Sequence, residues 1–210
     1  LFPICRSLLD RMIDRLENAG VQNLVVNLHH KADHITDHLA QRAQQSKIAF
    51  SDERAALLET GGGVKNALSL LGADPFFVCN ADILWQENTD TLSALARYFD
   101  PKRMDVLLML APRTACSGYD GAGDFDMQPD ATLTRRAGAT APYVFCGVQV
   151  LCPGCFDRTP TGAFSLNLIY DQAAAAGRLY GLVLDGTWMH VGTPEGRAAA
   201  ENILASNQSS

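Results

Sequence analysis

Leu8, Leu9, Met12, Ile13 and Leu16 recur at intervals of three and four, and this spacing predicts a helix. It should stop at Asn18-Ala19-Gly20, where glycine can take the left-handed backbone that closes a helix. A strand is expected over Asn23–Leu28, a second amphipathic helix on Ala32, Ile35 and Leu39, and a short strand over 47–51, followed by the segment 52–59. Gly61-Gly62-Gly63 then precedes a third helix carrying Val64, Ala67, Leu68 and Leu71, which leads through Pro75 into the strand Phe76–Cys79. In the second half, strands are expected over 104–111, 123–128, 132–136 and Tyr143–Leu151, with short Gly, Pro and Asp turns between them. A helix over 165–176, a strand over 179–184 and a final helix opened by Thr193-Pro194-Glu195 complete the pattern. The apolar strands are continuous rather than alternating, which places them inside a mostly parallel sheet covered by helices on both faces. The fold class is therefore α/β, with short antiparallel additions in the second half. No repeat or linker divides the chain, so 1–210 reads as a single domain.

Composition narrows the function classes. With 47% hydrophobic and 19% charged residues, the chain is neither disordered nor collagen-like. A formal charge of -6 offers no broad positive field for a nucleic-acid backbone, although two or three basic side chains could still hold one nucleotide phosphate. The longest apolar stretch, 106–111, falls far short of the roughly 20 residues that cross a bilayer. The opening residues are not a basic segment leading into an apolar run, so a cytoplasmic protein with no membrane partner is expected. Oligomeric state is not legible in the composition. Cys5, Cys79, Cys116, Cys146, Cys152 and Cys155 are scattered, several in apolar runs, and do not form a disulfide framework. Cys152-Pro153-Gly154-Cys155 has the spacing of half a zinc site or of a redox pair, but no second pair accompanies it; a turn after a strand is the other reading.

In open α/β sheets ligands bind beyond the carboxyl ends of strands, which draws attention to Asn80-Ala81-Asp82 after Phe76–Cys79. A carboxylate there can coordinate Mg²⁺ on phosphate oxygens, or simply cap the next turn. In Leu58-Glu59-Thr60-Gly61-Gly62-Gly63, glycines ahead of a helix would let backbone amides approach a base or phosphate, or form a flexible turn. His190 stands between a strand end and the capped helix at Thr193, a place suited to function, though a lone histidine is usually structural. Gly147 interrupts a strand and marks either a bulge or a ligand pressed on the backbone. Asn167 could bond a sugar hydroxyl or cap a helix turn.

Val25-Val26-Asn27-Leu28-His29-His30, Leu58-Glu59-Thr60-Gly61-Gly62-Gly63, Asn80-Ala81-Asp82, Gly123-Asp124-Phe125, Phe145-Cys146-Gly147-Val148 and Val191-Gly192-Thr193-Pro194-Glu195 occur in an order that resembles the bacterial sugar-1-phosphate nucleotidyltransferases. The likeness runs over nearly the whole chain, and is greatest to members acting on N-acetylmuramate 1-phosphate or mannose 1-phosphate. It implies a Rossmann-like sheet of the nucleotide-diphospho-sugar transferase type. It also implies a reaction joining a nucleoside triphosphate to a sugar 1-phosphate with release of pyrophosphate. Uridylyl transfer to N-acetylmuramate 1-phosphate, in cell-wall sugar recycling, is the expected case, with guanylyl or thymidylyl transfer to another hexose phosphate the alternative. By the same resemblance Asp82 would hold Mg²⁺, with Mn²⁺ the other ion it would accept. Glu59, Thr60, Gly61 and Gly62 would line the base and sugar region with Asn80, and Gly147 and Asn167 would lie against the sugar.

Two departures from the family pattern matter. The family's glycine-rich loop with an arginine, followed by a Lys-Pro pair, would precede Leu1-Phe2-Pro3-Ile4. The expectation is that a first strand and triphosphate-binding loop of roughly 25 residues, the size of part of one βα unit, lie upstream. A shortened protein that serves as a non-catalytic nucleotide-sugar binding module is the competing reading. Omission is preferred, because a sheet without that strand would expose pairing edges. The second departure is His190, standing where relatives carry an aspartate that serves as a second metal contact. Imidazole suits Mn²⁺ or Zn²⁺ better than Mg²⁺, so His190 would bind a softer ion, contact phosphate through a hydrogen bond, or leave Asp82 as the sole protein carboxylate on the metal, and it ranks below Asp82 as a ligand. A GT-A glycosyltransferase, which also sets an aspartate at a strand end, fits the Leu58–Gly63 segment poorly.

Overall fold

The computed structural model describes residues 7–43, 45–191 and 200; Cys5 and the helix expected at Thr193 lie outside them. In chain order the elements are α1 (Leu8–Asn18), β1 (Asn23–Leu28), α2 (Ala32–Gln41), β2 (Lys47–Asp52), α3 (Glu59–Leu71), β3 (Phe76–Cys79), β4 (Ile83–Glu87), α4 (Thr91–Tyr98), β5 (Val106–Pro112), β6 (Cys116–Ser117), β7 (Phe125–Met127), β8 (Leu133–Arg135), β9 (Tyr143–Leu151), α5 (Asn167–Ala175), β10 (Leu179–Val183) and β11 (Gly186–His190). Ser7 caps α1 by accepting from the Asp10 amide at 3.1 Å, and Met12, Ile13 and Leu16 bury its apolar stripe. Gly20, at φ +88°, turns the chain out of that helix as the spacing predicts. The hydrophobic pattern alone left 83–103 unassigned, and β4 and α4 occupy it.

The central sheet is mixed. β10 lies parallel to β5, and β9 lies antiparallel between β5 and β3, so β3, β5 and β10 run one way with β9 reversed among them. β7 and β8 extend the sheet from the start of β9 as the short antiparallel addition. Burial of β5 on both faces explains its unbroken apolar run. Leu107, Met109 and Ala111 enter a core shared with α1, α4, Trp85 and Trp188, while Val106, Leu108 and Leu110 enter another shared with α3 and α5. A smaller sheet, β4-β11-β6, covers part of the first core.

β1 and β2 form a separate parallel pair. Among the described residues β1 pairs only with β2, and β3 only with β9. Between β1 and β3 runs a mainly apolar cleft of about 530 Å³ whose lining includes Met12, Leu16, Leu24, Val26, Phe77 and Cys79. Cys152-Pro153-Gly154-Cys155 is a turn: Cys152 precedes a short 3₁₀ helix, Pro153–Phe156, after β9. Among the described residues no helix is long and apolar enough to cross a membrane.

Candidate active site

Four of the expected site residues gather where β3, β4, β9 and β11 meet. The pairing of β5 with β9 shifts register between Leu108 and Leu110, so that Cys146, Gly147 and Val148 bulge opposite Met109. Gly147 sits there at φ +81°, and a Cβ would lie 3.1 Å from both Asn80 Nδ2 and Ile83 Cγ2. Glycine is needed both for the backbone and for the close approach of Asn80. The Asn80 amide donates to the Gly147 carbonyl at 2.8 Å, fastening the end of β3 to the bulge. The Trp188 indole donates to the Cys146 carbonyl at 3.1 Å and ties β11 to the same bulge.

β11 pairs antiparallel with β4, and the register sets His190 opposite Ile83, the residue after Asp82. The metal candidates, far apart in sequence, are thus backbone neighbours. His190 is the last residue of β11 rather than part of a loop, and its ring lies 5.9 Å from that of Trp188. Asp82 is exposed in the turn between β3 and β4 and has no hydrogen bond or ion pair to another described residue, so its carboxylate is available to a ligand. Among the described residues no three His, Cys, Asp or Glu side chains converge as a metal cluster. Of the metal candidates, Asp82 and His190 are the two that the pairing of β4 with β11 brings near each other.

The glycine run corrects the sequence reading. Gly61, Gly62 and Gly63 do not precede a helix but lie inside α3, which begins at Glu59. The Gly61 and Gly62 amides both donate to the Phe164 carbonyl, at 2.8 and 3.0 Å. A Cβ on Gly61 would fall 2.6 Å from Phe164 Cδ2 and 2.8 Å from its carbonyl oxygen, and one on Gly62 would strike the Gly162 carbonyl. The run thus lets α3 dock on the 162–166 segment, and those two amides are already engaged. Thr60 Oγ1 accepts from the Leu166 amide at 3.0 Å in the same contact. Gly63 leaves room for the buried Glu53 carboxylate, which accepts from the Asn27 side-chain amide. Lys65 holds the approach to this segment by donating to the Thr159 carbonyl at 2.8 Å and to the Pro160 carbonyl at 3.2 Å. Glu59 and Thr60 stay exposed, with Glu59 at φ +57°, a backbone conformation that costs a non-glycine residue about 1 kcal/mol or more.

Asn167 opens α5 beside this contact, and its Oδ1 accepts from Arg135 Nη2 at 2.8 Å. An aromatic ridge joins the two groups of residues: Phe145, just before the bulge, meets Tyr170 of α5 at 5.9 Å, and Tyr170 meets Phe125 at 6.4 Å. Glu53, Phe164, Arg135 and Trp188 were not singled out in the sequence. Each acts through a partner remote along the chain, for which no local spacing exists.

Burial disfavours the thiolate form of the cysteines near the site. Burial pushes Cys79 up to about 12, and pushes Cys146, inside the bulge, well above its ordinary value. In the CxxC turn, burial and then Asp105 push Cys155 up to about 12, and its Sγ donates to the Asp105 carbonyl at 3.2 Å. Cys146 is buried and Cys79 and Cys155 are half-buried, so each packs as a small hydrophobe.

Comparison with known proteins fits this geometry. The nucleotidyl transferase family model matches residues 1–130. The chain is 43% identical over 205 residues to the N-acetylmuramate alpha-1-phosphate uridylyltransferase of Caulobacter vibrioides, covering 95% of this chain and 85% of the relative. It is 30% identical to the Neisseria meningitidis serogroup B enzyme of the same name, covering 85% of this chain and 77% of the relative. A crystal structure of UDP-glucose pyrophosphorylase complexed with UDP-glucose superposes with a TM-score of 0.77 at 12% identity, over 99% of this chain and 89% of that one, which bears on the fold. The expected fold class is met, and the chain belongs to the nucleotidyl transferase family as a sugar-1-phosphate nucleotidyltransferase.

Proposed function

We propose that the protein transfers a uridylyl group from UTP to N-acetylmuramate 1-phosphate, releasing pyrophosphate, in the cytoplasmic recycling of cell-wall sugars. The observation that carries this choice of substrates is the 43% identity to the Caulobacter vibrioides uridylyltransferase over 95% of the chain. A sugar phosphate oxygen attacks the α-phosphorus as pyrophosphate leaves, so the protein's work is alignment and charge neutralisation. In this reading Gly147 and Asn167 hold the sugar, Glu59, Thr60, Gly61 and Gly62 border the base, and Asn80 contacts substrate beside Asp82. Because two glycine amides are engaged by Phe164, the glycines act here by shaping the wall that Glu59 and Thr60 cap.

The donor set fits a divalent ion held mainly by substrate. Mg²⁺ takes one or two carboxylates and fills its other positions with phosphate oxygens and water, and Asp82 supplies such a carboxylate. Mn²⁺ would accept His190 more readily. When bound, the ion neutralises charge between the reacting phosphates. Among the described residues β1 and β3 each leave one edge unpaired beside the apolar cleft, a place suited to a further strand.

The test incubates the full-length protein with UTP, GTP or dTTP and with N-acetylmuramate, mannose or glucose 1-phosphate, and measures pyrophosphate. Fastest release with UTP and N-acetylmuramate 1-phosphate is expected. A faster GTP and mannose pair would reassign the substrates, and no release with any pair would leave a nucleotide-sugar binding module.

A further inference from the structure

Arg135, at the end of β8, reaches α5 and holds two residues one helical turn apart. Nε donates to Asp171 Oδ1 at 2.8 Å, while Nη2 donates to Asn167 Oδ1 at 2.8 Å and to its main-chain carbonyl at 3.3 Å. The guanidinium also lies 5.0 Å from the Phe125 ring centroid and 5.4 Å from that of Tyr170. It is thereby anchored on an aromatic shelf, in the ridge that runs from the Gly147 bulge to α5. A guanidinium has donors and no acceptor. The Asn167 atom facing it must therefore be the oxygen, because the reversed amide would set N–H against N–H. Asn167 is exposed, and among the described residues its Nδ2 has no protein acceptor.

We infer that Arg135 is a positioning residue that locks the Asn167 amide with its N–H donors turned outward, so that the site selects a sugar substituent offering acceptor oxygens. The inference rests on the proposed placement of Asn167 at the sugar. A carboxylate-bearing ether substituent gains most from such an edge, since its oxygens accept only. A free ammonium on the sugar ring meets donors with a donor and is rejected.

The experiment measures steady-state kinetics of the full-length protein with UTP and N-acetylmuramate 1-phosphate for Asn167→Ala, Arg135→Met, Arg135→Lys and the Asn167→Ala/Arg135→Met double variant. Each is assayed well below its own unfolding midpoint. Asn167→Ala and Arg135→Met should each raise KM for the sugar phosphate by about 3- to 10-fold, the worth of one hydrogen bond, with KM for UTP unchanged. The double variant should be no worse than Asn167→Ala alone, and Arg135→Lys, which keeps a donor for Oδ1, should recover most of the loss. An Arg135→Met effect that persists undiminished in the Asn167→Ala background, or that raises both KM values alike, would assign Arg135 a purely structural role and overturn the inference. If Asn167→Ala acts but Arg135→Met does not, the positioning fails while Asn167 keeps its place at the sugar. An inert Asn167→Ala removes Asn167 from the sugar, and the inference falls with that placement.

Discussion

Gly61→Ala separates a glycine that welcomes a ligand from one that lets two segments pack. On helix propensity alone the change should stabilise α3 by about 1 kcal/mol. The new methyl, however, would lie 2.6 Å from Phe164 Cδ2 and 2.8 Å from the Phe164 carbonyl oxygen, so ordinary contact requires a displacement of about 1 Å. The ring is 7% exposed and packed with Val64, Ile169 and Tyr170, which leaves it little room to retreat. Overpacking of this kind costs about 1 to 3 kcal/mol, and moving the carbonyl weakens two hydrogen bonds worth about 1 kcal/mol each. The net loss should be about 2 kcal/mol or more, or roughly 4 to 8 °C in the midpoint for a chain of this size. Thermal unfolding followed by circular dichroism measures it, with Gly138→Ala as the control, since a Cβ there meets nothing nearer than 3.8 Å. A Gly61→Ala midpoint equal to or above that of the parent would refute the packing account and return the glycine to the role of an open ligand cradle.

Asp82→Asn should reduce metal-dependent turnover by about 100-fold or more with an unchanged unfolding midpoint, because the amide keeps the shape and loses the charge; undiminished pyrophosphate release would remove Asp82 from the metal. His190→Asp should shift metal preference from Mn²⁺ toward Mg²⁺ in the same assay, and an unmoved preference would leave the imidazole with no part in metal binding. Burial of Glu17 acts to raise its pKa but is outweighed by the Ser46 amide, Arg42 and the Gln45 amide, which hold the carboxyl below its ordinary 4.5. The stability it contributes is complete above that value and is lost as pH falls through the lowered one, so Glu17→Gln should lower the midpoint at pH 7 and flatten its fall below about pH 4.5; parallel midpoint curves would contradict this. Cys79, Cys146 and Cys155 should resist iodoacetamide at pH 8 in the folded protein and react on unfolding, and rapid native labelling of any of them, read by mass spectrometry, would overturn the account of their raised pKa values.

Local periodicity was enough to find α1, β1, α2, β2, β3 and β9 near their observed bounds, because apolar spacing and turn residues act within a few positions of themselves. The unbroken run in β5 announced burial on both faces, and Asp82 announced itself by following an apolar strand. What the pattern could not contain was the choice of partners. It did not reveal that β9 would run reversed between β3 and β5, or that β11 would pair with β4 and bring His190 beside Asp82. Nor did it reveal that Phe164 would occupy the space left by Gly61, or that Arg135 would turn the Asn167 amide. Secondary structure follows from the short-range preferences of each segment, whereas these contacts depend on which distant surfaces bury apolar area and satisfy polar groups together. That comparison is made only when the whole chain folds.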